Sequence, residues 1–485
     1  MNSPAPEIKT IATHVLHGQQ PASQQTFALG PFEHLGNLFP ISTVWVYKSS
    51  SPRLIPVEQL RAAICRLLDY YPHLAGRLAI DSDTGARSID QLGAGMHLIE
   101  TRCDASFQSF SGVTSTPDAG WNVYEFSDFG QPLLPPWNMS PDALQRDPIF
   151  AIQRTQFDCS TVAIGLRVSH VVTAAGGFLR LYQDLAEIYR SISAGNAGDS
   201  IELSKPPHLE PYMVSSMVHM SDEEKLDALR VLPAGHSIRP ETTDEEQEAR
   251  TTSQNYSTDP DPAEGRALRF SPEQLATLKR LATDPDDPQS RASSFTALAA
   301  HLWQRTHLAR LAKAKASSEE TSVYDMSMFG TSVDFCKHLG LPERTFGNTV
   351  LTPVMELASD VVETAPLWDV ASAINNIVRH VSEDGTRKLG KWVAAQPKKQ
   401  QIQIDFRATP SAFIATSWHR FPLYSGAELD VAPIFASPVS KGLFDGMVVM
   451  VESQTMDGGI DVLFSVKKST FAVLDADKSF IANWD

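Results

Sequence analysis

The chain has 485 residues, 42% of them hydrophobic. That is too long for one ordinary core, because single cores stop growing near roughly 250–300 residues, so two domains are expected. A formal charge of −16 argues against a nucleic-acid binder, which needs a basic surface to displace counterions, and any anionic ligand would need a local basic patch. Cys65, Cys103, Cys159 and Cys336 lie far apart with no C-x-x-C pair, and so are expected as free thiols or small core residues in a reducing compartment. No signal peptide and no stretch of membrane-span length is recognisable, which makes a cytoplasmic location the expectation. The sequons at Asn138 and Asn255 are chance matches on that reading.

In chain order, residues 55–69 place Leu60, Ile64, Leu67 and Leu68 at helical spacing ahead of Tyr71-Pro72. Val162, Ile164, Leu166 and Val168 alternate and predict a strand. After Gly176-Gly177, the residues Phe178, Leu181, Tyr182, Leu185, Ile188 and Tyr189 recur at helical spacing. His170 therefore falls at a strand end, at the mouth of a loop that opens a helix. Residues 191–266 are rich in Ser, Pro, Asp and Glu and weakly periodic, as expected of a crossover between two halves. A short strand at Ala267–Phe270 leads to Ser271-Pro272-Glu273-Gln274, a capping box that opens a helix. A further helix begins near Ser294. Met447–Val451 and Ile460–Val466 flank Met456-Asp457-Gly458-Gly459, a strand–turn–strand pattern.

Several chemistries are absent as motifs. There is no G-x-x-x-x-G-K-[ST], no H-E-x-x-H and no G-x-S-x-G, and Gly93-Ala94-Gly95 lacks the third glycine of a dinucleotide loop. No metal site is expected: the histidines do not cluster at ligand spacing, and His301 and His307 read as surface or capping residues. His170 stands apart by its position. Imidazole titrates near neutrality and can take a proton from a hydroxyl or amine as that group attacks an acyl carbonyl. From pattern alone such a histidine is more often structural than catalytic.

LDYYPHLAGRL (Leu68–Leu78), SFTALAAHLWQRTHLAR (Ser294–Arg310), VDFCKHLGLPERTFGN (Val333–Asn348) and TSWHRFPLY (Thr416–Tyr424) resemble, in the same order, characteristic runs of the BAHD-type acyltransferases. The resemblance spans about residues 27 to 475. It implies an α/β fold of two chloramphenicol-acetyltransferase-like domains with a channel between them. The expected division is 1–195 carrying His170, a crossover at 196–266, and 267–485. SHVVTAAGG (Ser169–Gly177) occupies the family's HxxxDG position, which implies His170 as general base. Asn348 and Trp418 are implied as substrate-binding residues, and acyl-CoA as co-substrate with no bound cofactor. A small natural-product acceptor, a monomer, and neither nucleic acid nor membrane as partner complete the expectation. The acidic crossover and the TSWHRFPLY wording resemble fungal members, which suggests secondary metabolism.

The departures are specific. The motif Asp is Ala174, the following Gly is Ala175, and the arginine of the family's VDxR run is Cys336, so both halves of the usual ion pair are expected to be missing together. The DFGWG motif is replaced by LDVAPIFASP (Leu429–Pro438), which keeps Asp430 alone. O-acyl transfer by His170 is the leading reading. A repurposed channel that performs a cyclisation, isomerisation or pericyclic step without any thioester is the alternative, and a non-catalytic binding protein is a third.

Overall fold

A computed structural model describes residues 6–20, 25–51, 53–112, 121–196, 200–239, 260–287, 290–318, 320–440 and 442–481. Two six-stranded mixed sheets, each with helices packed on it, organise the chain. In the first, Ile8–Leu16, Met96–Cys103, Phe150–Phe157, Thr161–Ser169, Pro40–Lys48 and Phe435–Pro438 lie side by side in that order. The last of these comes from the second half of the chain and pairs antiparallel with Pro40–Lys48. In the second sheet the order is Ala263–Phe270, Ile460–Lys467, Met447–Glu452, Phe413–Ser417, Met326–Thr331 and Val354–Ala358.

The expected elements form for the expected reasons. The helix Val57–Tyr70 buries Leu60, Ile64, Leu67 and Leu68. The helix Ala175–Ser193 buries the whole predicted stripe from Phe178 to Tyr189, and Trp45 stacks flat on Tyr182 with ring centroids 3.7 Å apart. Ser271 and Gln274 close the capping box, and Ser293 caps the helix Ser294–Ser317. The strand Thr161–Ser169 differs from its alternating pattern in one respect: every residue is buried, because the segment at Leu133–Leu134 covers its second face over Gly165.

His301 and His307 require a correction. Both are buried: His301 Nε2 meets the carbonyl of Phe480 at 2.9 Å, and His307 Nε2 meets Ser359 Oγ at 2.8 Å. Burial pushes both imidazoles down to about 4, so they serve the core as neutral polar groups. Within 196–266, two short helices, Val214–His219 and Asp222–Ala228, and the strand His236–Ile238 are formed, the last pairing with Ile402–Ile404. Residues 240–259, with the Asn255 sequon, lie outside the described residues.

Candidate active site

The strand Thr161–Ser169 ends because Ser169 turns the chain. Its carbonyl accepts the N–H of Val172 at 3.1 Å, and its hydroxyl faces the N–H of Val171 at 3.4 Å. Ala174, extended at φ −95°, then starts the helix Ala175–Ser193. The turn is pinned from outside by backbone contacts. His170 N–H donates to Phe39 O at 3.3 Å, and Ala174 N–H donates to Gly347 O at 3.2 Å. Two glycines permit close approach here. A β-carbon at Gly177 would collide with Thr173 Oγ1, and one at Gly36 would lie 2.6 Å from Asn348 Nδ2 and 3.1 Å from His170 O.

The His170 side chain is half-buried, and its Nδ1 is enclosed without a hydrogen-bond partner. Burial lowers its pKa below 6.5, against a weaker opposing pull from the carbonyls of His170 itself and Thr173. The imidazole is therefore neutral at pH 7. Asn348 lies behind the turn, 5% exposed, with its Nδ2 donating to His170 O at 3.3 Å. Trp418 follows the strand Phe413–Ser417 and packs against Phe178, with ring centroids 6.4 Å apart. Phe421, three residues on, covers Gly176. Side chains from both halves of the chain thus converge on the turn that carries His170. Among the described residues no acceptor engages the Trp418 indole N–H. Ser417 Oγ and His419 Nδ1 are 2.5 Å apart beside it, and burial pushes His419 down to about 4.

Two features were not anticipated. The first is Glu33, on the short helix Pro31–Leu35. Its Oε1 accepts the N–H of Asn348 at 2.9 Å, while its Oε2 is buried without a partner. Burial raises this carboxyl to about 7 despite the backbone N–H groups around it, that of Asn348 foremost. His34 beside it holds Gly30 O on one nitrogen and the N–H of Arg87 on the other, which fixes its neutral tautomer. The second is a buried ion pair. Arg344 Nη2 lies 2.6 and 2.5 Å from the two oxygens of Asp184, and Tyr71 donates its hydroxyl to the same carboxylate at 2.6 Å. Ala174 and Cys336 can form no ion pair with each other, and this pair stands on the helix that follows Ala174.

The arrangement is that of a two-sheet α/β enzyme with a neutral histidine where its halves meet. Among the described residues no group of three or more His, Cys, Asp or Glu is placed to hold a metal. The model of the Transferase family matches residues 6–481, and the chain belongs to that family, the BAHD-type acyltransferases. It is 24% identical over 439 residues to shikimate O-hydroxycinnamoyltransferase of Nicotiana tabacum, covering 88% of this chain and 89% of that one. It is 26% identical over 221 residues to O-acyltransferase pigD of Monascus ruber, covering 44% and 47%. In fold it is similar to F. graminearum TRI101 complexed with coenzyme A and deoxynivalenol, with a TM-score of 0.71 at 16% identity over 94% of this chain and 98% of that one. Vinorine synthase gives a TM-score of 0.66 at 15% identity over 96% of both. The chain is an acyltransferase by family, built on the two-domain fold of these enzymes.

Proposed function

We propose that this protein transfers an acyl group from a CoA thioester to a hydroxyl of a small hydrophobic acceptor, with His170 as general base. The observation that carries the reading is the neutral, half-buried imidazole of His170, held where side chains of the two halves meet. With Nδ1 enclosed by protein, the mechanism takes the proton of the neutral ring to sit there, which leaves the Nε2 lone pair for the acceptor hydroxyl. As the hydroxyl oxygen attacks the thioester carbonyl, Nε2 takes its proton. The tetrahedral intermediate then expels the CoA thiolate, which recovers that proton from the imidazolium. The developing oxyanion needs a donor, and the unengaged indole N–H of Trp418 is suited to it. Asn348 acts behind the turn, with its backbone N–H given to Glu33 and its Nδ2 donating to His170 O. The channel between 1–195 and 267–485, with acceptor and thioester entering from opposite ends, belongs to the same proposal.

Coenzyme A in TRI101 complexes and the hydroxycinnamoyl transfer named for the tobacco relative support a thioester donor. The test is release of free CoA from acetyl-CoA and p-coumaroyl-CoA in the presence of a panel of phenolic and terpenoid alcohols. His170→Ala should lower the acceptor-dependent rate by about 100- to 10,000-fold. Near-normal transfer by that variant would remove His170 from the mechanism.

A further inference from the structure

The His170 turn carries the uncharged Ala174, 4% exposed, where the family resemblance implies an aspartate, and Cys336, also buried, where it implies an arginine. Neither residue can hold the turn by charge. Asp184 sits about three turns further along the helix that begins at Ala175. Its side chain is 4% exposed and that of Arg344 18%. Burial pushes the Asp184 carboxyl up, while Tyr71 and Arg344 pull it back. Burial likewise works against the Arg344 charge, and Asp184 and Tyr71 together outweigh it. A guanidinium keeps its proton throughout the accessible range, so the pair stays ionic.

The four residues after Arg344 carry the effect of the pair to the turn. The carbonyl of Arg344 accepts the N–H of His208 at 2.9 Å, and Phe346 N–H donates to His208 O at 2.8 Å, so one edge of this strip is fixed by a parallel bridge between Thr345 and His208. Phe346 presents its ring to the edge of Tyr71 at 4.9 Å and to His73 at 5.4 Å, and packs against Gly177 in the first turn of the helix. Gly347 O accepts Ala174 N–H, and Asn348 Nδ2 donates to His170 O. Five consecutive residues, 344–348, therefore run from the ion pair to the backbone of His170. A buried ion pair is weak evidence for stability, because a well-packed apolar pair of similar volume is often as good. Its best-attested use is to fix register.

We propose that Asp184, Arg344 and Tyr71 are positioning residues that set the register of segment 344–348 against the helix Ala175–Ser193, and through Gly347 and Asn348 hold the His170 turn in its catalytic geometry. The catalytic consequence rests on the reading of His170 as the base. The geometric claim does not.

The test reads the His170 ring directly, by NMR titration of protein labelled with 13Cε1-histidine, the resonance being identified by its loss in His170→Ala. Asp184→Leu combined with Arg344→Met removes the pair without stranding a charge. If the pair sets the turn, the turn relaxes, water reaches the imidazole, and the His170 midpoint rises toward 6.5 by about half a pH unit or more while the melt stays cooperative. Tyr71→Phe removes one clamp and should move the midpoint the same way by less. An unchanged His170 shift and midpoint in the folded double variant overturns the proposal. If the double variant does not fold, an unchanged titration in Tyr71→Phe does so. Because no turnover is measured, a failed acyl-transfer reading leaves this result intact.

Discussion

Two regions where the sequence departs from the runs that the family resemblance predicts are held together differently. At the His170 turn, where Ala174 and Cys336 carry no charge, backbone contacts hold the turn, and a buried charge pair stands well along the helix, between Asp184 and Arg344. At Leu429–Pro438, which holds no glycine, the segment is instead stitched onto the other half of the chain. Asp430 accepts the N–H of Ile55 at 2.6 Å and the hydroxyl of Tyr189 at 2.8 Å. Phe435–Pro438 adds itself to the first sheet, and just ahead of the segment Trp45 Nε1 donates to Leu423 O at 2.9 Å and Tyr47 Oη to Ala427 O at 2.6 Å. One region thus relies on a buried pair at a distance, the other on several local side-chain hydrogen bonds and a strand pairing. The first solution is fragile to a single substitution, and the second spreads the load.

The comparison breaks most sharply at Arg344. Arg344→Met strands the Asp184 carboxylate, and urea unfolding should show a loss of roughly 3–5 kcal/mol, whereas the double variant with Asp184→Leu should recover most of it. Equal losses in the single and double variants would mean that charge is not what the pair contributes.

Glu33 gives the next effect, through pH. Its folded pKa of about 7 lies above the 4.5 of a free glutamate, so the folded state binds more protons between the two values. Stability is then fully present below about 4.5 and falls as pH rises through about 7, by roughly 3 kcal/mol. Glu33→Gln retains the acceptor for Asn348 N–H and should lack this fall. Denaturation curves of the two proteins at pH 5 and pH 8 that move in parallel would contradict the assignment.

Asp430→Ala is expected to be the mildest. It leaves the Ile55 N–H and the Tyr189 hydroxyl without their acceptor at a cost of about 1–3 kcal/mol, and the strand pairing of Phe435–Pro438 with Pro40–Lys48 should survive. A loss as large as that of Arg344→Met would reverse the contrast between the two regions.

Much of the fold was legible because periodicity, capping and turn chemistry are local. The stripe from Phe178 to Tyr189 and the Ser271 capping box need no knowledge of the rest of the chain. The position of His170 at a strand end was legible for the same reason. Strand addition by Phe435–Pro438 was not, since a four-residue strand carries no period that names its partner. Burial of His301 and His307 was also hidden: the helix Ser294–Ser317 is covered nearly all round, so no polar face marks which residues stay outside. Asp184 and Glu33 were missed because each acts through a contact more than a hundred residues away. Asp184 interrupts an apolar helix stripe, and that was the one available signal that it needed a partner.

Calorimetric titration of the purified protein with acetyl-CoA, with a nucleotide of similar charge as control, tests the account most directly. The account predicts saturable binding of acetyl-CoA in the micromolar range that the control does not reproduce, since the thioester side must work without DFGWG. Heats for acetyl-CoA, p-coumaroyl-CoA and free CoA that match the control would contradict it.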